Sequence, residues 1–248
     1  ALNASGKRVH SSMGKNVQTH YCMSNQELIR LAASRLAEMM KADPEAKYFY
    51  FFPGDGGDYY CKCAECRKLG STTDRLLYWI NSIAKITGKQ YPDRILVTLA
   101  YTDSQTPPEK IRNLSPNVIV LYAPYGYSWG SHLVYGHESN RVGHERMRKW
   151  EEMFPDQLGA FVYPNSSREH YNVWPAFRMN YKLYRHLAEK KYKIVAHCGF
   201  TPAYAAGAIS ENGSFQALQM KVLNEVLCDP RVNVEKLVDD YLNDAFGA

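Results

Sequence analysis

What most constrains this chain is a repeated alternation between short extended runs and longer helical ones. Strand-forming runs cover residues 17–22, 47–52, 94–101, 117–123, 158–163 and 193–199. Helical periodicity fills the intervals, at residues 24–40, 72–89, 141–154, 175–190, 215–227 and 234–245. The first helix is predicted to start on a capping box of Ser24 and Glu27 and to stop ahead of Asp43-Pro44. Strand and helix in such succession imply a parallel sheet covered by helices, because each crossover helix brings the chain back to the end of the sheet where the previous strand began. No glycine-rich phosphate fingerprint follows the first strand, which argues against a dinucleotide-binding version.

The polar residues decide between an open sheet and a closed barrel. Every strand but the first runs into such a cluster: Asp55 and Asp58, Tyr101-Thr102-Asp103, Tyr125 to His132, Tyr163-Pro164-Asn165 with His170, and His197-Cys198. Functional-type residues at many successive strand ends fit a (β/α)8 barrel, whereas an open sheet concentrates them at one switch point. The expected fold is therefore α/β, of (β/α)8 TIM-barrel type. Residues 1–248 are expected to form a single domain supplying the C-terminal six βα units, with the remaining strands on an upstream barrel segment of a longer parent protein.

Composition narrows the partners. At 248 residues, 45% hydrophobic and with 12 scattered prolines, the chain reads as globular with ample core. The net charge of +5 is spread over several helices and not gathered on one face, so nucleic acid is not expected as a partner. No apolar run approaches the roughly 20 residues that cross a bilayer, so no membrane insertion is expected. The 19 Tyr, 9 Phe and 4 Trp supply amphipathic rings that suit stacking on sugars or bases as well as core packing.

One strand end stands out. The run Tyr48-Phe49-Tyr50-Phe51-Phe52 breaks into Pro53-Gly54-Asp55-Gly56-Gly57-Asp58, and glycines at 54, 56 and 57 call for a tight turn. That turn presents Asp55 at the mouth of a sheet, where α/β proteins place their chemistry. Capping the next helix or closing the turn is the other reading of Asp55. Just beyond, Cys61, Cys63 and Cys66 have the spacing to supply thiolates to a structural zinc, with Cys22, Cys198 or a histidine as fourth ligand. Disulfides and buried free thiols are the rival readings. A catalytic zinc is disfavoured, because three thiolates neutralise the ion and leave a poor Lewis acid; no cofactor is expected to take part in catalysis.

Tyr101, Tyr125, Tyr163, Asn165 and His197 follow or end strands and are read as substrate-binding candidates. Trp129 and His132 join them, either as a sugar-stacking wall or as a loop clasped on its own aromatic side chains. His170 and Trp174 are read as structural, and His144 and His186 as surface or packing residues of helices.

Several motifs together carry a family resemblance. They are Tyr21-Cys22-Met23-Ser24-Asn25-Gln26-Glu27, the Pro-Gly-Asp-Gly-Gly loop at 53–57, Cys-x-Cys-x-x-Cys at 61–66 and Leu99-Ala100-Tyr101-Thr102. Leu227-Cys228-Asp229-Pro230 and Val238-Asp239-Asp240-Tyr241-Leu242 complete the set. Over nearly its whole length the chain resembles the domain of unknown function 4838. The resemblance implies the C-terminal part of a TIM-barrel glycoside hydrolase, similar to glycoside hydrolase family 163, acting as an endo-β-N-acetylglucosaminidase on N-glycans. It also implies export by a bacterium. More distantly the chain is similar to the β-hexosaminidases, in which a helix, a Pro-Asp turn and a strand lead to Gly-Asp-Glu; Ala42-Asp43-Pro44 and Gly54-Asp55 occupy the matching places.

In that chemistry the sugar's own acetamide oxygen attacks the anomeric carbon, one carboxylate orients the amide, and a carboxylic acid protonates the leaving oxygen. The resemblance gives Asp55 the orienting role. Position 56 is Gly where the hexosaminidase pair has Glu, so the acid is expected from Glu211, Asp58 or the upstream segment. His197 stands where relatives often carry Glu. The rival class is a non-catalytic carbohydrate-binding barrel that kept the cleft and lost the acid.

Overall fold

The computed structural model describes residues 5–7, 20–54, 60–124, 138–162, 176–197 and 216–247. Among them are five strands and seven α-helices: α1 (Gln26–Ala42), β1 (Tyr48–Tyr50), α2 (Ala64–Leu69), α3 (Thr72–Thr87), β2 (Ile95–Ala100), β3 (Val118–Tyr122), α4 (Arg141–Met153), β4 (Leu158–Val162), α5 (Ala176–Glu189), β5 (Val195–His197), α6 (Gln216–Cys228) and α7 (Val234–Phe246). The strands follow chain order in one sheet, β1-β2-β3-β4-β5. Pairing is parallel from β1 to β2 (Tyr48 opposite Ile95), from β2 to β3 (Leu96 opposite Val118) and from β4 to β5 (Ala160 opposite Val195). A parallel sheet alternating with helices is thus the observed architecture.

The chain divides into two compact units, residues 1–123 with 149–159 and residues 124–148 with 160–248. In the first, α1 buries Ile29, Ala33, Leu36 and Met40, a stripe at helical spacing, and packs against α3. Each such large side chain contributes about 1.5–3 kcal/mol by leaving water. Helix α3 buries Leu76, Leu77, Trp79, Ile80, Ile83 and Ala84. All five residues of β3 are buried, as are the last five of β2, the pattern of parallel strands covered on both faces. Asn81 and Asn117 tie α3 to the approach to β3, through Ser115 N to Asn81 Oδ1 (2.6 Å) and Asn117 Nδ2 to Ala84 O (3.3 Å). In the second unit α5 packs on α6 and α6 on α7, with Leu183, Tyr184 and Leu187 buried, as are Val222, Leu223, Val226, Val234 and Val238.

Three details differ from the sequence reading. Residues 20–22, the described part of the expected first strand, are not a strand; they bend into the helix, with Asn25 N–H donating to Cys22 O at 3.0 Å. The cap of α1 is Asn25, whose side chain accepts from Leu28 N at 2.9 Å, and not Ser24, whose hydroxyl is drawn instead to three cysteine sulfurs. Helix α2 was not expected at all: six residues are too short to show a period, and Cys63 caps it with its sulfur.

The start of α3 is the most heavily bonded point of the first unit. Ser71 and Asp74 form a reciprocal capping box, and the buried Asp74 carboxylate also accepts the N–H groups of Glu109 (3.1 Å), Lys110 (2.8 Å) and Ile111 (2.9 Å). Gly70 sits against it at φ 117, where an added Cβ would lie 2.7 Å from Asp74 Oδ2. Burial alone would raise the Asp74 carboxyl, but the Ser71 hydroxyl and the three N–H donors outweigh it and hold it below the usual range.

Asp74→Asn is expected to lower the unfolding free energy by about 2–4 kcal/mol, because an amide nitrogen is turned toward N–H donors. A carboxyl held low in the folded protein contributes stability above its ordinary pKa and loses it as pH falls through the depressed value. The gap between variant and wild type should therefore close on acidification. Urea unfolding at a series of pH values checks this, and a gap constant with pH would contradict it.

Candidate functional site

Chain geometry at the C-terminal end of β1 creates a cavity. Phe51 N–H still donates to Val97 O (2.8 Å) and the Thr98 hydroxyl donates to Phe51 O (3.0 Å), so extended pairing runs one residue past the strand. Pro53 then offers no N–H and the chain leaves the sheet. The cavity beside it has a volume of ≈ 240 Å³ and is walled by His20, Tyr21 and Met23 on one side, Phe51 to Gly54 on another, and Leu76 and Trp79 of α3. Ligand pockets for drug-sized molecules start at about 300 Å³, so the space suits a single ring. Tyr21 is 62% exposed and Phe52 41%, leaving aromatic faces open, while Trp79 at 2% forms the floor.

A second shelf of polar groups adjoins this wall. His20 stacks on Tyr60 with centroids 3.9 Å apart. Burial pushes the Tyr60 phenol up to about 12, against the pull of its hydrogen bond with Ser104 and with a further push from Asp103. Ser104 Oγ accepts Tyr101 N–H (3.0 Å) and donates to Tyr101 O (2.9 Å), shaping the turn that ends β2. In that turn Thr102 takes φ 46, which for a β-branched residue costs on the order of 1–3 kcal/mol. Tyr60 thereby links His20 of the cavity wall to the turn that ends β2.

Next to the cavity, four thiols meet. The sulfurs of Cys22, Cys61, Cys63 and Cys66 lie within 4.8 Å of one another, and all four cysteines are free. Cys22 Sγ is 3.8 Å from Cys63 Sγ and 3.7 Å from Cys66 Sγ. Cys66 N–H donates to Cys63 Sγ at 3.4 Å, and Ser24 Oγ lies 3.2 Å from Cys66 Sγ. Burial would raise Cys63, but the Cys66 N–H and the contacts from Cys61, Cys66 and Ser24 bring it down to about 6. Burial pushes Cys66 up to about 12 and raises Cys22. Such a set can hold a metal ion.

Of the residues singled out from the sequence, the structure brings together Cys61, Cys63 and Cys66 and supplies Cys22 as their neighbour. Tyr101 stands at the end of β2, and His197 is the last residue of β5. Asp55, Asp58, Tyr125, Trp129, His132, Tyr163, Asn165 and Glu211 lie outside the described residues. The sequence alone did not mark His20, Tyr21 or Trp79 as cavity walls. Trp79 reads as one more apolar position of a core helix, and the proximity of Tyr21 to Cys22 was the only available signal.

The chain belongs to the family described as Domain of unknown function (DUF4838), whose model matches residues 1–248. No curated protein and no solved structure matches it.

In reduced, metal-free protein at pH 7, Cys63 is expected to alkylate faster than Cys66, because Cys63 is partly exposed and brought down to about 6 while Cys66 is buried and pushed up to about 12. Timed iodoacetamide labelling with peptide mapping reads the order. Equal rates at the two positions would contradict the assignment.

Proposed function

We propose that this DUF4838 protein is a glycoside hydrolase acting on N-acetylglucosamine-containing glycans, with Asp55 at its centre. The observation that carries the reading is the aromatic-walled cavity at the C-terminal end of a parallel strand, whose wall Pro53-Gly54 leads directly into Asp55. A ring-sized space with exposed Tyr21 and Phe52 faces supports sugar stacking. In this proposal the Asp55 carboxylate accepts the N–H of the substrate's acetamide and so aims its carbonyl oxygen at the anomeric carbon. The acetamide acts as nucleophile, the configuration is retained, and the leaving oxygen takes its proton from Glu211, Asp58 or an acid of the upstream barrel segment. No metal takes part in the reaction on this reading; zinc at the cysteines is structural.

The (β/α)8 form of the fold and its completion by upstream strands belong to the same proposal. Among the described residues β1 lies at the end of the strand order, and Tyr48, Tyr50 and the nearby Phe52 are exposed, which supports both. Among the described residues no helix is long and apolar enough to cross a membrane, and export by a bacterium goes with the glycan reading. A second reading, a carbohydrate-binding barrel without turnover, is favoured by Gly56, which stands where the hexosaminidase pair has Glu.

Asp55→Asn in the complete protein is expected to lower kcat for an N-glycan core by about a thousandfold or more while the melting temperature holds, since orientation of the nucleophile rests on one carboxylate. Tyr21→Ala should raise KM about three- to tenfold through lost stacking. Product release followed by chromatography measures both. Wild-type turnover by the Asp55 variant sinks the hydrolase assignment; glycan binding without any turnover selects the second reading.

A further inference from the structure

The cysteine cluster and the cavity share their chain segments. Cys22 stands between Tyr21 and Met23, both cavity walls, and Tyr60, the residue before Cys61, stacks on the wall residue His20. The opposite wall, residues 51–54, ends six residues before Tyr60 along the chain. Whatever binds the four sulfurs therefore ties the 20–23 wall to Cys61, a near neighbour in sequence of the 51–54 wall.

The geometry of the sulfurs states what that is. In a tetrahedral zinc thiolate the bonds are about 2.3 Å, so the edges between sulfurs are about 3.8 Å. The Cys22 edges of 3.8 and 3.7 Å match that value. They are far from the roughly 2.05 Å of a disulfide. The Cys66 N–H on Cys63 Sγ and the single proton of the Ser24 hydroxyl, nearest to Cys66 Sγ at 3.2 Å, are the outer hydrogen bonds that orient thiolate ligands. Four sulfur donors fill the coordination sphere and leave no open position for substrate or water, which is the signature of a structural ion.

We infer that Cys22, Cys61, Cys63 and Cys66 bind one zinc ion as a closed tetrathiolate centre that clasps the two walls of the aromatic cavity, so that the cavity is formed only in metal-loaded protein. The ion and the clasp stand on these residues alone; only the nature of the cavity's occupant rests on the glycan reading. The zinc acts as a positioning element for the cavity walls at residues 20–23 and 51–54, and not as a Lewis acid.

The test uses the full 248-residue chain, reduced and stripped with a chelator. Titration with Co2+ should give one ion per chain with the visible bands of a four-sulfur tetrahedral site, and Zn2+ should displace it. Cys22→His should keep a tetrahedral ion with bands shifted by the nitrogen ligand, while Cys228→Ser changes nothing. Hydrogen exchange of residues 20–23 and 51–54 should slow at least tenfold on zinc loading, with α7 unaffected. Failure to bind one ion per chain, or a purified protein lighter by the two hydrogens of each disulfide, overturns the metal. Unshifted bands in Cys22→His remove Cys22, and exchange unchanged by zinc overturns the clasp. None of these readouts is turnover, so a protein that binds zinc and leaves every glycan intact defeats the glycan reading alone.

Discussion

Asp74 is the carboxylate on which the first unit depends. It is buried, yet it stays ionised because the Ser71 hydroxyl and four backbone N–H groups, from Ser71, Glu109, Lys110 and Ile111, converge on it. Those bonds fasten the N-terminus of α3 to the segment that leads from β2 to β3. They also explain Gly70, since any side chain there would strike the carboxylate. With Gly70 fixed, Arg75 can reach back to Gly70 O (3.0 Å) and Cys61 O (3.4 Å), so the cysteine-bearing segment is referenced to the helix that carries Trp79. Rigid placement of small sites by such supporting bonds is what lets a few side chains act together.

Around that frame the first unit builds two features from the same short stretches of chain. Strands β2 and β3 end in register, Ala100 opposite Tyr122, while β1 stops earlier, at Tyr50 opposite Val97, and the residues just past β1 and β2 leave the sheet in different ways. Beyond β1 a proline ends the pairing and opens a cavity; beyond β2 a Ser104 hydroxyl closes a tight turn that holds Thr102 in a left-handed conformation. Tyr60 links the His20 wall of that cavity to the β2 turn, stacked on His20 and hydrogen-bonded to Ser104. An aromatic cavity thus stands beside a protonated phenol and a cluster of four thiols.

Much of the scaffold was legible in the sequence because it depends on neighbours along the chain. The runs at 94–101 and 117–123 contain β2 and β3, and the periodic stretches at 72–89 and 141–154 contain α3 and α4. The run at 17–22 misled, since its described end spends its backbone on the turn into α1 and not on a sheet. Ser24 with Glu27 is a sound capping signal, but sulfurs distant in sequence compete for the Ser24 hydroxyl, and Asn25 takes over the cap. Local rules cannot weigh a partner that lies more than forty residues away.

By itself the sequence determined the alternation of β1 to β5 with the longer helices, which follows from periodicity, and three thiols at a spacing fit for a metal, which follows from near-neighbour chemistry; its motifs carried the family. Only the tertiary structure decided that Cys22 is the fourth sulfur and that Tyr21 and Trp79 face one cavity. The packing of α1 on α3 brings those segments together, and that packing is a property of two apolar stripes meeting, which no single stretch of sequence contains.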